Sequence, residues 1–228
     1  NEWPLARTDW QRWHLHSEGD ANSVRGGGRL SIDTPTDEPE DRFVYDPEFP
    51  VQTVGGNNCC SPDIVPWGPY DQRAVEMRSD VLVYTSDPFE EDMEVTGPIK
   101  VVLYAATDGP DTDWTAKLVD VSPTGYAMNL CDGIFRARYH ESRSESRLLE
   151  PNRVYEYEID VAVTGNVFQK GHSVRIEISS SNFPRFDRNL NTGKDYGKDG
   201  EIRVANQTVY HSREYPSHVL LPVILHSP

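Results

Sequence analysis

The sequence predicts an all-β chain folded as one β-sandwich with elaborate loops. Apolar residues recur with period two rather than 3.6, turn residues punctuate the chain at short intervals, and no window forms an amphipathic helix. At 228 residues the chain can bury a substantial core.

Residues 12–17 and 29–33 read as a first strand pair, with Gly26-Gly27-Gly28 between them. The stretch 34–47 is acidic and proline-rich and is assigned no strand, and the long segment 53–67 reads as an irregular loop. Residues 81–85 form a short strand. Residues 99–107 are apolar on both faces and suit a central strand, with 114–122 and 133–140 as further strands. In 154–163, Tyr155, Tyr157, Ile159, Val161 and Val163 alternate with acids, as in a half-buried strand. Breaks at Gly165-Asn166 and at Lys170-Gly171 precede 172–181, where Val174, Ile176 and Ile178 oppose Arg175 and Glu177. Residues 207–211 and 218–224 close the set, and the 17 prolines fall mostly between strands. Without an internal repeat or boundary, residues 1–228 are expected to form a single domain.

The formal charge of -15 disfavours nucleic-acid and anionic-membrane partners, and no apolar run is long enough to span a bilayer. Three cysteines are too few for a disulfide framework. Adjacent Cys59 and Cys60 read as an incidental pair, and a reducing, cytoplasmic setting is the easier one.

Several ordered blocks carry a resemblance over nearly the whole chain. They are DPEFPVQTVGG (46–56), DQRAVEMRSDVLVYTSDPFEEDMEVTGP (71–98), TDGPDTDWTAKLVDVSPTG (107–125), GIFRARYH (133–140), FQKGHSVRIEISSSNFPRFDRNLNTG (168–193) and QTVYHSREYPSHVLLPVI (207–224). Together they resemble the C-terminal domain of the cocaine esterase and X-Pro dipeptidyl-peptidase family of serine hydrolases. The resemblance implies a jelly roll, galactose-binding-domain-like, that carries no catalytic triad. It implies a parent polypeptide with an α/β-hydrolase catalytic domain and a helical cap, acting as esterase, amidase or dipeptidyl-peptidase. This domain would dock on the catalytic domain, shape its substrate pocket, and be inert and cofactor-free by itself. The residues agree, since no serine stands in a G-x-S-x-G elbow. The isolated chain would expose its docking patch and self-associate.

Two loops are candidates for the pocket or the domain interface. One offers Asn57, Asn58, Trp67 and Tyr70, the other Asn182, Phe183, Arg185 and Phe186. Asp71 and Arg73 are expected as a buried pair anchoring the loop, and residues 90–94 as a solvated turn. Asp108, Asp111 and Asp113 could surround calcium, but a polar turn explains them more simply. His14 and His16 share a strand face at a spacing compatible with zinc, although an ordinary surface pair is favoured. Competing readings are a carbohydrate-binding module using Trp3, Trp10, Trp13, Trp67 and Trp114, and a free-standing cupin-type enzyme.

Overall fold

A computed structural model describes residues 2–59, 63–195, 197–198 and 200–225; Cys60 and His226 lie outside the described residues. Among the described residues, eleven strands form one hydrogen-bonded sheet. They are β1 (Thr8–His16), β2 (Arg29–Ser31), β3 (Asp41–Tyr45), β4 (Leu82–Thr85), β5 (Met93–Thr107), β6 (Asp113–Val121), β7 (Ala127–Arg136), β8 (Tyr155–Phe168), β9 (Ser173–Ser179), β10 (Ala205–Tyr210) and β11 (His218–Ile224). The path runs β3-β10-β5-β11-β1-β2-β4-β9-β6-β7, with β8 on the other edge of β5. A 3₁₀ turn at Ala137–Tyr139 is the one helical element among the described residues.

Apolar period-two faces force this sheet to fold over on itself into a jelly-roll β-sandwich. Trp114 on β6 lies edge-on to Phe43 of β3 at 6.3 Å and tilted on Tyr157 of β8 at 5.9 Å, yet neither strand neighbours β6 in the path. One buried cluster takes side chains from every strand. Where β7 crosses β8 the backbones nearly touch: a Cβ at Gly133 would fall 1.9 Å from the Asp160 carbonyl oxygen, so only glycine fits.

The expected elements are present, with four corrections. Strand β3 lies inside the acidic, proline-rich stretch, where no strand was expected. Asp41, Phe43 and Tyr45 are buried and Arg42 and Val44 exposed, an alternation masked by flanking acids and prolines. Strand β7 begins at Ala127, well before residue 133, and the chain turns at Ala137 instead of extending to 140. Gly165-Asn166 does not break β8, because the long partner β5 carries the pairing on to Met93↔Phe168. A bulge opposite Ile99, with Ala162 at φ 78°, shifts the phase and turns Val163 to solvent. Finally, β6 and β9 are buried on both faces, so Arg175 and Glu177 are not solvated.

Asp41 ties the other end of the sandwich. Its carboxylate accepts hydrogen bonds from Ser17 Oγ (2.9 Å), the Ala21 amide (2.8 Å), Tyr84 Oη (2.7 Å) and His211 Nε2 (2.8 Å). Burial opposes its charge, but the His211 hydrogen bond and charge and the Ala21 and Tyr84 bonds outweigh that and hold the carboxyl below its usual range.

Candidate functional site

The two candidate loops form one surface. The chain before Gly55 runs beside the chain after β9: Phe183 N–H donates to Val51 O (2.9 Å) and Thr53 N–H to Phe183 O (2.7 Å). Gly56 and Gly68 then exchange backbone bonds of 2.7 and 3.0 Å, which bring the two ends of a lobe together. Gly55, Gly56 and Gly68 all have positive φ, which L side chains rarely adopt. The Tyr70 amide donates to Asn129 Oδ1 at 2.7 Å and fixes the lobe to β7.

Asp132, buried on β7, organises the second loop. It accepts from Asn182 Nδ2 at 2.6 Å and pairs with the Arg185 guanidinium. Arg185 also lies 5.0 Å from the Phe186 ring centroid, and a Cβ at Gly56 would stand 3.2 Å from its Nη1. Arg185 thus joins the loops, while Asn182 is fully buried and supports them from beneath. Between the loops lies a hollow of about 420 Å³ bordered by Asn57, Asn58, Ile64, Val65, Pro184 and Arg185. Ile64 at its border, and Trp67, Tyr70 and Phe183 elsewhere on the two loops, remain exposed.

The bed beneath is ionic. Gln72 and Glu76 reach the outer face of β6 and β9, where Lys117 Nζ lies 3.4 Å from Glu177 Oε2 and Arg175 Nη1 lies 2.7 Å from Glu76 Oε2. All four side chains are buried. Gln72 joins them, donating from Nε2 to Val54 O (2.8 Å) and Tyr70 O (3.0 Å) and accepting from Lys117 Nζ at 3.3 Å. Burial pushes the Glu177 carboxyl up, with Lys117 opposing and Glu76 reinforcing the shift.

This bed corrects the expected anchors. Asp71 and Arg73 do pair, with Nε to Oδ2 at 2.8 Å, but their side chains are 30% and 55% exposed. The buried residues are Gln72, between them, and Glu76. A turn at 72–76 puts these on the sheet side, which strand alternation could not have indicated.

The remaining candidates take ordinary structural partners. Asp111 accepts from Arg138 Nε (2.8 Å) and Asn189 Nδ2 (2.9 Å), Asp113 from Arg136 Nε (3.0 Å) and Asn189 Nδ2 (2.9 Å), and Asp108 from Asn206 Nδ2 (2.6 Å). These are long-range ties instead of the local amide bonds expected of a turn. His14 faces His218 across the β1–β11 pair with ring centroids 5.4 Å apart, whereas His16 Nδ1 bonds Glu38 at 2.8 Å, so the two do not act together. Burial, then His218, lowers His14 to about 4. No group of three or more His, Cys, Asp or Glu among the described residues could hold a metal.

Cys59 is disulfide-bonded, so it is not the incidental thiol expected; Cys131 is free and buried. Trp114 is in the core and Trp13 packs on Phe89, while no ring stack among the described residues joins Trp3, Trp10 and Trp67 into a sugar platform.

Sequence reasoning missed one catalytic-looking chain. Ser31 Oγ lies 3.2 Å from His16 Nε2, whose Nδ1 meets Glu38. The same hydroxyl accepts the Asp33 amide at 3.1 Å and lies 3.4 Å from Asp33 Oδ2. A carboxylate beside the nucleophile opposes a developing oxyanion, so the chain serves as a clasp for residues 31–38.

Comparison with known proteins gives a consistent pattern. A family model for the X-Pro dipeptidyl-peptidase C-terminal non-catalytic domain matches residues 1–220. The cocaine esterase of Rhodococcus sp. (strain MB1 Bresler) is 41% identical over 225 residues, covering 98% of this chain and 39% of the esterase. An aminopeptidase from a marine-sediment Thaumarchaeota archaeon superposes with a TM-score of 0.85 at 29% identity, covering 98% of this chain and 38% of that one. An α-amino acid ester hydrolase superposes with a TM-score of 0.79 at 33% identity, over 93% of this chain and 36% of the other. The chain therefore spans well under half the length of each relative.

Proposed function

The chain belongs to the family of X-Pro dipeptidyl-peptidase C-terminal non-catalytic domains, and on that premise we propose that its 228 residues act as one accessory domain of a serine hydrolase. It docks on the α/β-hydrolase domain of the same polypeptide and walls part of the substrate pocket. The observation carrying this reading is the convergence of two exposed aromatic–polar loops over a buried ionic bed. Loops serving only as connections need no such foundation.

The division of labour follows from the residues. The nucleophile, base and oxyanion donors belong to the catalytic domain, which performs acyl transfer. Trp67, Tyr70 and Phe183 supply apolar contact that excludes water, and Asn57 and Asn58 supply adaptable polar contact. Arg185 and Asn182, held by Asp132, fix the loop conformation so that little ordering entropy is lost on docking. Left uncovered, the same apolar groups would drive self-association of the isolated chain.

The test is made in a hydrolase polypeptide carrying this domain. Replacing residues 56–66 by a short turn, and separately Trp67→Ala, should change the ratios of kcat/KM across a panel of acyl esters and X-Pro amides. Ratios unchanged in both variants would rule out a role in the substrate pocket.

A further inference from the structure

The first and last strands, β1 and β11, pair antiparallel, and their register sets His14 opposite His218. The next facing residues, Leu15 and Ser217, are joined by Leu15 N–H donating to Ser217 O at 3.0 Å. Hydrogen-bonded and non-hydrogen-bonded pairs alternate along such a ladder. His14 and His218 therefore hold a non-hydrogen-bonded position, where facing side chains approach most closely. Their chain neighbours Leu15 and Val219 are buried in the core, so both rings lie on the outer face of the sheet.

The rings are tilted by 53° with centroids 5.4 Å apart, so they are not stacked. Two imidazoles sharing one tetrahedral ion, each at about 2.0–2.1 Å, would place their centroids about 5 Å apart. His218 Nδ1–H donates to Pro216 O at 2.8 Å. A carbonyl only accepts, so this bond fixes the tautomer and leaves the Nε2 lone pair for a ligand, a backbone tie of the kind that orients metal-binding histidines. His14 Nδ1 is buried without a hydrogen-bond partner among the described residues, an orphan imidazole that a shared ion would engage. Burial, then the His218 charge, lowers His14 to about 4, so the ring is neutral at pH 7. Two further charges bear on the pair with opposite sign: Arg12 of β1 acts on both rings and Glu156 of β8 on His218. His16, which also acts on His14, is engaged by Glu38.

We propose that His14 and His218 form a two-histidine site for a divalent transition cation of the zinc class, bound through one nitrogen of each ring and bridging the first strand to the last. Two protein ligands leave the other positions to water, an open arrangement unlike the closed four-ligand cage of a structural zinc site. Imidazole suits zinc, nickel and copper, whereas magnesium takes oxygen ligands. This inference does not depend on the docking reading above.

The probe is zinc chloride, with magnesium chloride as the control, titrated into the 228-residue chain and followed at the imidazole nitrogens by NMR. The His14 and His218 signals should move together along one saturable curve, half complete at roughly sub-millimolar zinc, and magnesium should move neither. His14→Gln should weaken the zinc response of His218 about tenfold or more, and His218→Gln that of His14 equally. Arg12→Gln, at an exposed position, removes a repelling charge and should tighten zinc about threefold, a gain that loss of structure cannot imitate. Two rings that respond independently, a response no stronger than that of His140 or His172, no saturation, or weaker binding by Arg12→Gln would each overturn the proposal.

Discussion

Strands β6 and β9 have two buried faces built on opposite principles. Toward the interior they present Trp114, Ala116 and Leu118 with Val174, Ile176 and Ile178; outward they present Thr115 and Lys117 with Arg175, Glu177 and Ser179. The inner face works by non-directional burial and tolerates imprecise partners. The outer face works only if each charge meets its counterpart, because an isolated buried charge is far costlier than an exposed one. The first arrangement closes the sandwich. The second places Gln72 and Glu76, and the turn that carries them, in one position, which is what a recognition loop requires.

The largest effect should come from the inner face. Trp114→Ala should cost about 3–5 kcal/mol in urea unfolding, since Trp114 joins β6 to both β3 and β8. A loss under about 1 kcal/mol would mean the interior is not the seam described. Next comes the outer face. Glu76→Gln strands the Arg175 guanidinium and should cost about 3 kcal/mol, and the double variant Glu76→Met, Arg175→Met should recover most of that. A double variant no more stable than the single one would remove the pairing argument.

Two carboxylates should produce opposite pH slopes. The folded-state pKa of Asp41 is depressed, so its stabilisation is present above the unfolded value and disappears as pH falls through the folded one. Asp41→Asn should cost about 2 kcal/mol at neutral pH and flatten the acid limb of the stability curve. The folded-state pKa of Glu177 is raised, so the native state holds its proton more tightly. Stability from that site is greatest below the ordinary glutamate range and declines as pH rises through the folded value. Glu177→Gln should remove this decline, and equal slopes in variant and parent would contradict the assignment. The smallest effect is chemical: burial pushes the Cys131 thiol up to about 12, so iodoacetamide should leave it unmodified until the chain unfolds.

The two faces also differ in how legible they were. Period-two runs in 154–163 and 172–181 revealed the inner face directly, since burial leaves a compositional trace. The outer face misled. Arg175 and Glu177 looked like solvated positions because alternation cannot say whether a loop covers the polar side. The same limit hid Gln72 and Glu76 behind Asp71 and Arg73, whose exposed pairing followed sequence proximity. The loops were legible as unusual segments by their glycine, aromatic and asparagine content. Their union through Asp132 and Arg185 depends on contacts 50 and 53 positions apart, which one sequence does not encode visibly. Strand β3 was lost because its alternation is only five residues long and sits among acids and prolines.

The separation of the two faces is tested most directly by amide hydrogen exchange in Glu76→Gln. The account predicts that the Gln72, Glu76 and Arg78 amides, bonded to Ala127 O, Gln72 O and Val75 O, lose protection selectively. The amides of the β5–β8 ladder should stay as protected as in the parent. Equal loss across both regions, or none in residues 72–78, would contradict the claim that the ionic bed places the loop independently of the core.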